Sequence, residues 1–129
     1  MSGRLVYIVE DSPDLAANLE IACGAIPDVE VRVAGSAEQA WEMLQSSDSA
    51  EAIVVVTDVR LPETDGVELI RRIRADRRLA QVPVVVVSGE ADPETAGRLR
   101  ELAISARFHK PYSPVSLRKQ VQALLDAQP

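Results

Sequence analysis

Ile53-Val54-Val55-Val56-Thr57-Asp58 is the stretch whose reading decides the fold. Apolar β-branched residues run here without a polar break and end in a hydroxyl and a carboxylate. A continuous apolar run of this length predicts a strand buried on both faces, and therefore a central strand of a sheet covered by helices. Asp58 stands where that strand stops and the chain turns through Val59-Arg60-Leu61-Pro62. In open α/β sheets ligands bind at the carboxyl ends of strands. An Asp at this position is a metal ligand, a nucleophile or a plain turn-former. What the other strands end in decides among these.

Working outward, Arg4-Leu5-Val6-Tyr7-Ile8-Val9 reads as a first strand and ends in Glu10-Asp11. Ser12-Pro13 gives a capping residue followed by proline at the first helical position, the usual opening of a helix. That helix is expected to run to about Ala25, with Leu15, Leu19 and Cys23 on its apolar face. Residues 30–33 are a less apolar strand, suited to a sheet edge, and Ser36-Ala37-Glu38-Gln39 is a capping box that opens a second helix reaching about Gln45. A polar loop covers residues 46–50. Past Asp58, Asp65-Gly66 precedes a third helix carrying Val67, Ile70, Ile73 and Arg74 at helical spacing. Val84-Val85-Val86-Val87-Ser88 is a second fully buried strand, and Asp92-Pro93 repeats the cap-plus-proline start. Ala106-Arg107-Phe108-His109-Lys110 is the last strand, stopped by Pro111. Ser113-Pro114 opens a final helix with Leu117, Val121, Leu124 and Leu125 as its core stripe.

Strands alternating with helices in this way imply a parallel sheet with helices on both faces and right-handed crossovers. Such β–α units fit the flavodoxin-like strand order 2-1-3-4-5, a five-stranded parallel sheet in an α/β three-layer sandwich. The most apolar runs then fall on the central strands. The chain of 129 residues is expected to form one domain, residues 1–129.

In that order the first and third strands are neighbours, and the crevice between their carboxyl ends is the predicted site. It receives Glu10, Asp11 and Asp58, with Ser88 and Lys110 from the fourth and fifth strands. Carboxylates crowded together repel and raise each other's pKa. A divalent cation removes the conflict, and oxygen ligands with room left for water suit Mg²⁺. Lys110 supplies a second positive charge. A carboxylate held beside Mg²⁺ and an ammonium is placed to attack phosphorus and form an aspartyl-phosphate. Ser88 could then donate a hydrogen bond to the phosphate.

Composition bounds the function from outside. A hydrophobic fraction of 47% allows a real core, and the apolar runs fall short of the ~20 residues of a membrane span. The start of the chain shows no signal-peptide pattern. The single Cys excludes an internal disulfide, and the expected location is cytoplasmic. A net charge of −6 disfavours direct nucleic-acid binding. The basic run Arg71, Arg72, Arg74, Arg77 and Arg78 is accordingly read as a solvated helix face. Cys23 and Trp41 are read as packing residues, and the lone His109 as a strand-end residue, not a ligand.

Taken together, Glu10-Asp11, Asp58 with Leu61-Pro62 and Asp65-Gly66, Ser88, and Lys110-Pro111 resemble the receiver domain of two-component response regulators over essentially the whole chain. The resemblance implies that Asp58 is the phosphoacceptor. It implies that Glu10, Asp11, Asp58 and the backbone carbonyl of Arg60 hold Mg²⁺, that Ser88 is the switch hydroxyl, and that the Lys110-Pro111 bond is often cis. The implied partners are a sensor histidine kinase or histidine phosphotransferase, which donates the phosphoryl group, and a downstream protein effector. The surface that changes is expected around the fourth helix, fifth strand and fifth helix. Enzymatic activity is confined to self-directed phosphotransfer and slow autodephosphorylation. One position departs from the pattern: the family usually has an aromatic three residues before the lysine, and here that residue is Arg107. Alternation sends Phe108 to the opposite face, into the core, and Arg107 is expected to signal by changing ion-pair partners. The fourth helix, interrupted by Gly97 and otherwise rich in Ala, is expected to be weakly held.

Two other functions share parts of this pattern. A phosphatase of haloacid dehalogenase type also uses an Asp nucleophile with Mg²⁺, but needs a second Asp where Arg60 stands. A flavodoxin-like FMN carrier needs a glycine- and hydroxyl-rich phosphate loop after the first strand, where Glu10-Asp11 would repel phosphate. Within the family, the absence of a DNA-binding segment favours a stand-alone module over a receiver belonging to a hybrid kinase or larger regulator.

Overall fold

The computed structural model of the chain describes residues 3–47, 52–61, 65–89 and 93–128. Five strands and five helices alternate: β1 (Arg4–Val9), α1 (Pro13–Gly24), β2 (Glu30–Ala34), α2 (Ala37–Gln45), β3 (Ala52–Asp58), α3 (Gly66–Ala75), β4 (Val84–Ser88), α4 (Pro93–Arg100), β5 (Ala106–His109) and α5 (Pro114–Asp126). The strands form one sheet in the order β2-β1-β3-β4-β5, and every pairing is parallel. This is the flavodoxin-like arrangement expected from the sequence. β2 and β5 are the edges. The central strands read as continuous apolar runs because both their faces are covered.

Alternation along the strands builds a core on each side. Leu5, Tyr7, Val9, Val55, Val84 and Val86 face α2 and α3, where Ala40, Leu44, Ile70 and Ile73 close over them, with Leu99 of α4. Val6, Ile8, Val54, Val56, Val85 and Val87 face Leu19 and Cys23 of α1 and Leu117, Val121 and Leu125 of α5. Phe108 packs against this second core, and Trp41 against the first. Cys23 is fully buried.

The helix starts follow their local chemistry. Ser12, Ser36, Asp65 and Ser113 each cap a helix by accepting a backbone N–H through the side chain. At α2 the box is shifted: the Gln39 side chain accepts from the N–H of Gly35, one residue before the cap. Asp92, read as the cap of α4, lies outside the described residues, as do Pro62 and residues 48–50 of the polar loop. Leu15 does not join the apolar face of α1. It is 38% exposed, and Ala16, Leu19, Ala22 and Cys23 make the buried stripe instead. Each step of four residues drifts about 40° around a helix, so Leu15 lies well round from Cys23, off the buried stripe.

The basic run on and after α3 is more than a solvated face. Arg74 donates to the carbonyls of Leu102, Ala80, Val82 and Ala103. Arg78 donates to the carbonyls of Leu44, Gln45 and Ser47, which closes the end of α2. Arg71 pairs with Glu68, and Arg72 with Glu38. Among the described residues no helix is long and apolar enough to cross a membrane.

Candidate functional site

The carboxyl ends of β1, β3 and β4 bring Glu10, Asp58 and Ser88 to one edge of the sheet, and the chain leaving β5 adds Lys110. β1 and β3 are hydrogen-bonded neighbours, with Val9 level with Thr57. Asp58 is level with Val87, and Ser88 with His109. β5 ends one residue earlier than expected, at His109. Lys110 nevertheless stays in register, because its N–H donates to the Ser88 carbonyl at 2.8 Å. The Lys110-Pro111 bond is cis.

The centre of the site is an ammonium between two carboxylates. Lys110 Nζ donates to Asp58 Oδ2 at 2.7 Å and to Glu10 Oε1 at 3.4 Å. Asp58 Oδ1 accepts the N–H of Arg60 at 3.1 Å, and Glu10 Oε2 accepts the N–H of Ser12 at 3.1 Å. Glu10 and Asp58 are both buried, at 3% and 8% exposure. Burial pushes the Glu10 carboxyl above its ordinary range. The Ser12 N–H opposes that, Asp58 adds to it, and Lys110 offsets part of it. For Lys110, burial works to lower the pKa, but the hydrogen bond and charge of Asp58, then Glu10, outweigh it and hold the ammonium above its ordinary value. The site therefore keeps its lysine charged and carries one more buried carboxylate than it has cations to match.

Asp11 stands apart from this cluster. It is exposed, where water satisfies its charge. Among the described residues no three Asp, Glu, His or Cys side chains gather closely enough to hold a metal ion. The donor set still has the chemistry of a hard-cation site. Its members are oxygens, two of them are buried carboxylates, and one ammonium leaves them under-compensated.

Some contacts at and beside the site were not visible in the sequence. Ser88, 4% exposed, accepts a hydrogen bond at Oγ from Arg107 Nε at 3.3 Å. Arg98 of α4 pairs with Asp65 Oδ2 at 3.3 Å, joining α4 to the cap of α3. Gly66 packs directly on the site's backbone: a Cβ there would lie 2.1 Å from the Asp58 carbonyl oxygen and 3.0 Å from Val59 Cα. Its N–H donates to the Val59 carbonyl at 2.7 Å. The Asp-Gly pair before a helix was the available signal for Gly66. The arginine contacts depend on strand register and helix placement, which no local pattern encodes.

Comparison with known proteins agrees with this architecture. The family model described as "Response regulator receiver domain" matches residues 6–122. Among curated proteins, the chain is 24% identical to chemotaxis protein CheY1 of Helicobacter pylori over 93% of this chain and 95% of that one. It is 30% identical to the transcriptional regulatory protein GltR of Pseudomonas aeruginosa over 96% of this chain, which spans 50% of that protein. Among solved structures, the signal receiver domain of a signal transduction histidine kinase from Syntrophus aciditrophicus superposes with a TM-score of 0.84 at 26% identity. That match covers 95% of this chain and 89% of the other.

Proposed function

Since this chain belongs to the response regulator receiver domain family, we propose that it is a two-component signalling switch with Asp58 as its phosphoacceptor. The observation that carries this reading is the buried Asp58 carboxylate, held by Lys110 at 2.7 Å and the Arg60 N–H at 3.1 Å, at the carboxyl edge of the sheet. An Asp58 oxygen attacks phosphorus of a phosphohistidine on a sensor histidine kinase or a histidine phosphotransferase. The O–P bond forms as the P–N bond breaks, and the electron pair leaves with the imidazole. Lys110 offsets charge on the phosphoryl oxygens, and the Ser88 hydroxyl donates to one of them. Water later attacks phosphorus, releasing phosphate and restoring the carboxylate. No other substrate is turned over.

Glu10, Asp58, the Arg60 carbonyl and Asp11, once its exposed side chain turns in, would hold Mg²⁺. When bound, that ion supplies the positive charge which phosphoryl oxygens need and which a single lysine provides only in part. The signal leaves through a protein effector at the face of α4, β5 and α5, in the cytoplasm, without direct contact to nucleic acid or membrane.

The test is incubation with Mg²⁺ and acetyl phosphate, read by intact mass. The wild type should gain one phosphoryl group and Asp58→Asn none. No gain by the wild type, or an equal gain by the variant, rejects Asp58 as the acceptor. A second reading keeps this chemistry in a different setting, as the receiver segment of a larger regulator or hybrid kinase. The match to GltR over half its length supports the regulator, and the receiver domain of a histidine kinase supports the hybrid kinase.

A further inference from the structure

Arg107 sits on β5 level with Val86, on the sheet face turned toward α4. Its side chain lines a groove of about 400 Å³ with Ala96, Leu99, Arg100 and Ile104. The same side chain reaches along the sheet to Ser88, where Nε donates to Oγ at 3.3 Å. A hydroxyl has one proton to give and two lone pairs. By accepting from a guanidinium, Ser88 commits one lone pair to Arg107, and its own proton must point away from that cation. β4 ends at Ser88 beside β3, whose last residue is Asp58. The hydroxyl proton is thereby free for an acceptor at the carboxyl edge of the sheet.

We propose that Arg107 is a positioning residue for Ser88: its guanidinium orients and polarises the hydroxyl so that the Ser88 proton is donated to a phosphoryl oxygen on Asp58. The inference rests on the receiver reading and deepens it. An aromatic side chain in this place can follow the hydroxyl only by filling or vacating space. A guanidinium follows it by charge. As Asp58 changes from a carboxylate to a phosphoryl-bearing group, negative charge builds up on the far side of the hydroxyl. The chain Arg107 N–H to Ser88 O–H to phosphoryl oxygen tightens, because hydrogen bonds aligned in series polarise one another. The residue that senses the phosphoryl group is then also a wall of the α4–β5 groove. Phosphorylation alters how firmly that wall is held, with no ring rotation needed.

The experiment measures the ratio of phosphorylated to unmodified protein at steady state in Mg²⁺ and acetyl phosphate, by intact mass. The proteins are the wild type, Arg107→Ala, Arg107→Lys, Ser88→Ala and the Arg107→Ala/Ser88→Ala double variant. Arg107→Ala should lower the ratio about three- to tenfold, the net worth of one ordinary hydrogen bond, and Arg107→Lys should recover part of the loss. Because Arg107 acts through Ser88, the double variant should match Ser88→Ala alone. An Arg107→Ala ratio equal to the wild type, or a further drop in the double variant, overturns the proposal and leaves the receiver reading intact. If the wild type gains no phosphoryl mass, the receiver reading fails first and this inference falls with it. Thermal midpoints of the variants within a few degrees of the wild type exclude a folding defect as the cause.

Discussion

At the scale of single residues, burial decides which groups stay neutral and which must find partners. Cys23 is fully buried on α1, and burial pushes its thiol from the ordinary 9.0 to about 11. A thiol whose pKa is raised by folding stabilises the native state fully below pH 9. That contribution is lost as pH climbs toward 11, because the unfolded chain releases a proton which the folded one keeps. Urea unfolding at pH 8 and pH 10 should therefore show the wild type losing about 1 kcal/mol more than Cys23→Ala over that interval. Parallel pH profiles for the two proteins would sink this. The core role of Cys23 was legible because helical spacing put it on the apolar face of α1. The same spacing rule misplaced Leu15, since the drift of about 40° at each four-residue step carries it off the stripe that Ala16, Leu19, Ala22 and Cys23 bury. Glu10, Asp58, Ser88 and Lys110 were legible as a convergent set because each ends, or directly follows, a strand that its apolar run already identified. Arg107 on Ser88 was not legible, since the contact depends on how far one side chain extends along the sheet.

Among the elements, the junction of β3 and α3 is the most constrained. The helix begins so close to the strand end that Gly66 has no room for a side chain: its Cβ would meet the Asp58 carbonyl oxygen at 2.1 Å. The neighbour is backbone, not the tip of a flexible side chain, so the conflict can be relieved only by moving the strand end that carries the site or the start of α3. Gly66→Ala should cost about 2–3 kcal/mol in urea unfolding and slow phosphoryl gain as well. A variant as stable as the wild type would show that the junction yields more readily than its packing suggests. The sequence announced a turn here through Asp65-Gly66, but the reason for the glycine lies in the approach of two backbone segments distant from any periodic pattern. Asp65 has two tasks at the same junction. One oxygen caps α3 through the N–H of Glu68, and the other pairs with Arg98.

Over the whole molecule, burial is unevenly shared among the helices. α5 buries Leu117, Val121 and Leu125, whereas α4, among its described residues, buries Leu99 alone. Stability follows buried apolar area, so local opening should cost least where least is buried. Amide protons of α4 should exchange earlier than those of α5, and equal protection in the two helices would contradict this. The alternation of elements and the strand order were readable from the sequence because a doubly covered parallel sheet writes itself as uninterrupted apolar runs. Those same runs, Ile53-Val54-Val55-Val56 and Val84-Val85-Val86-Val87, are the kind of segment that stacks into fibrils when exposed. The fold places them in the middle strands. Its two open rims are β2, five residues long with Glu30 and Arg32, and β5, four residues long with Arg107 and His109. Short, charged rims make poor templates for adding strands from other copies. Aggregation of the native protein through its margins is thus disfavoured, and the fibril-forming runs become available to other copies when the sheet comes apart.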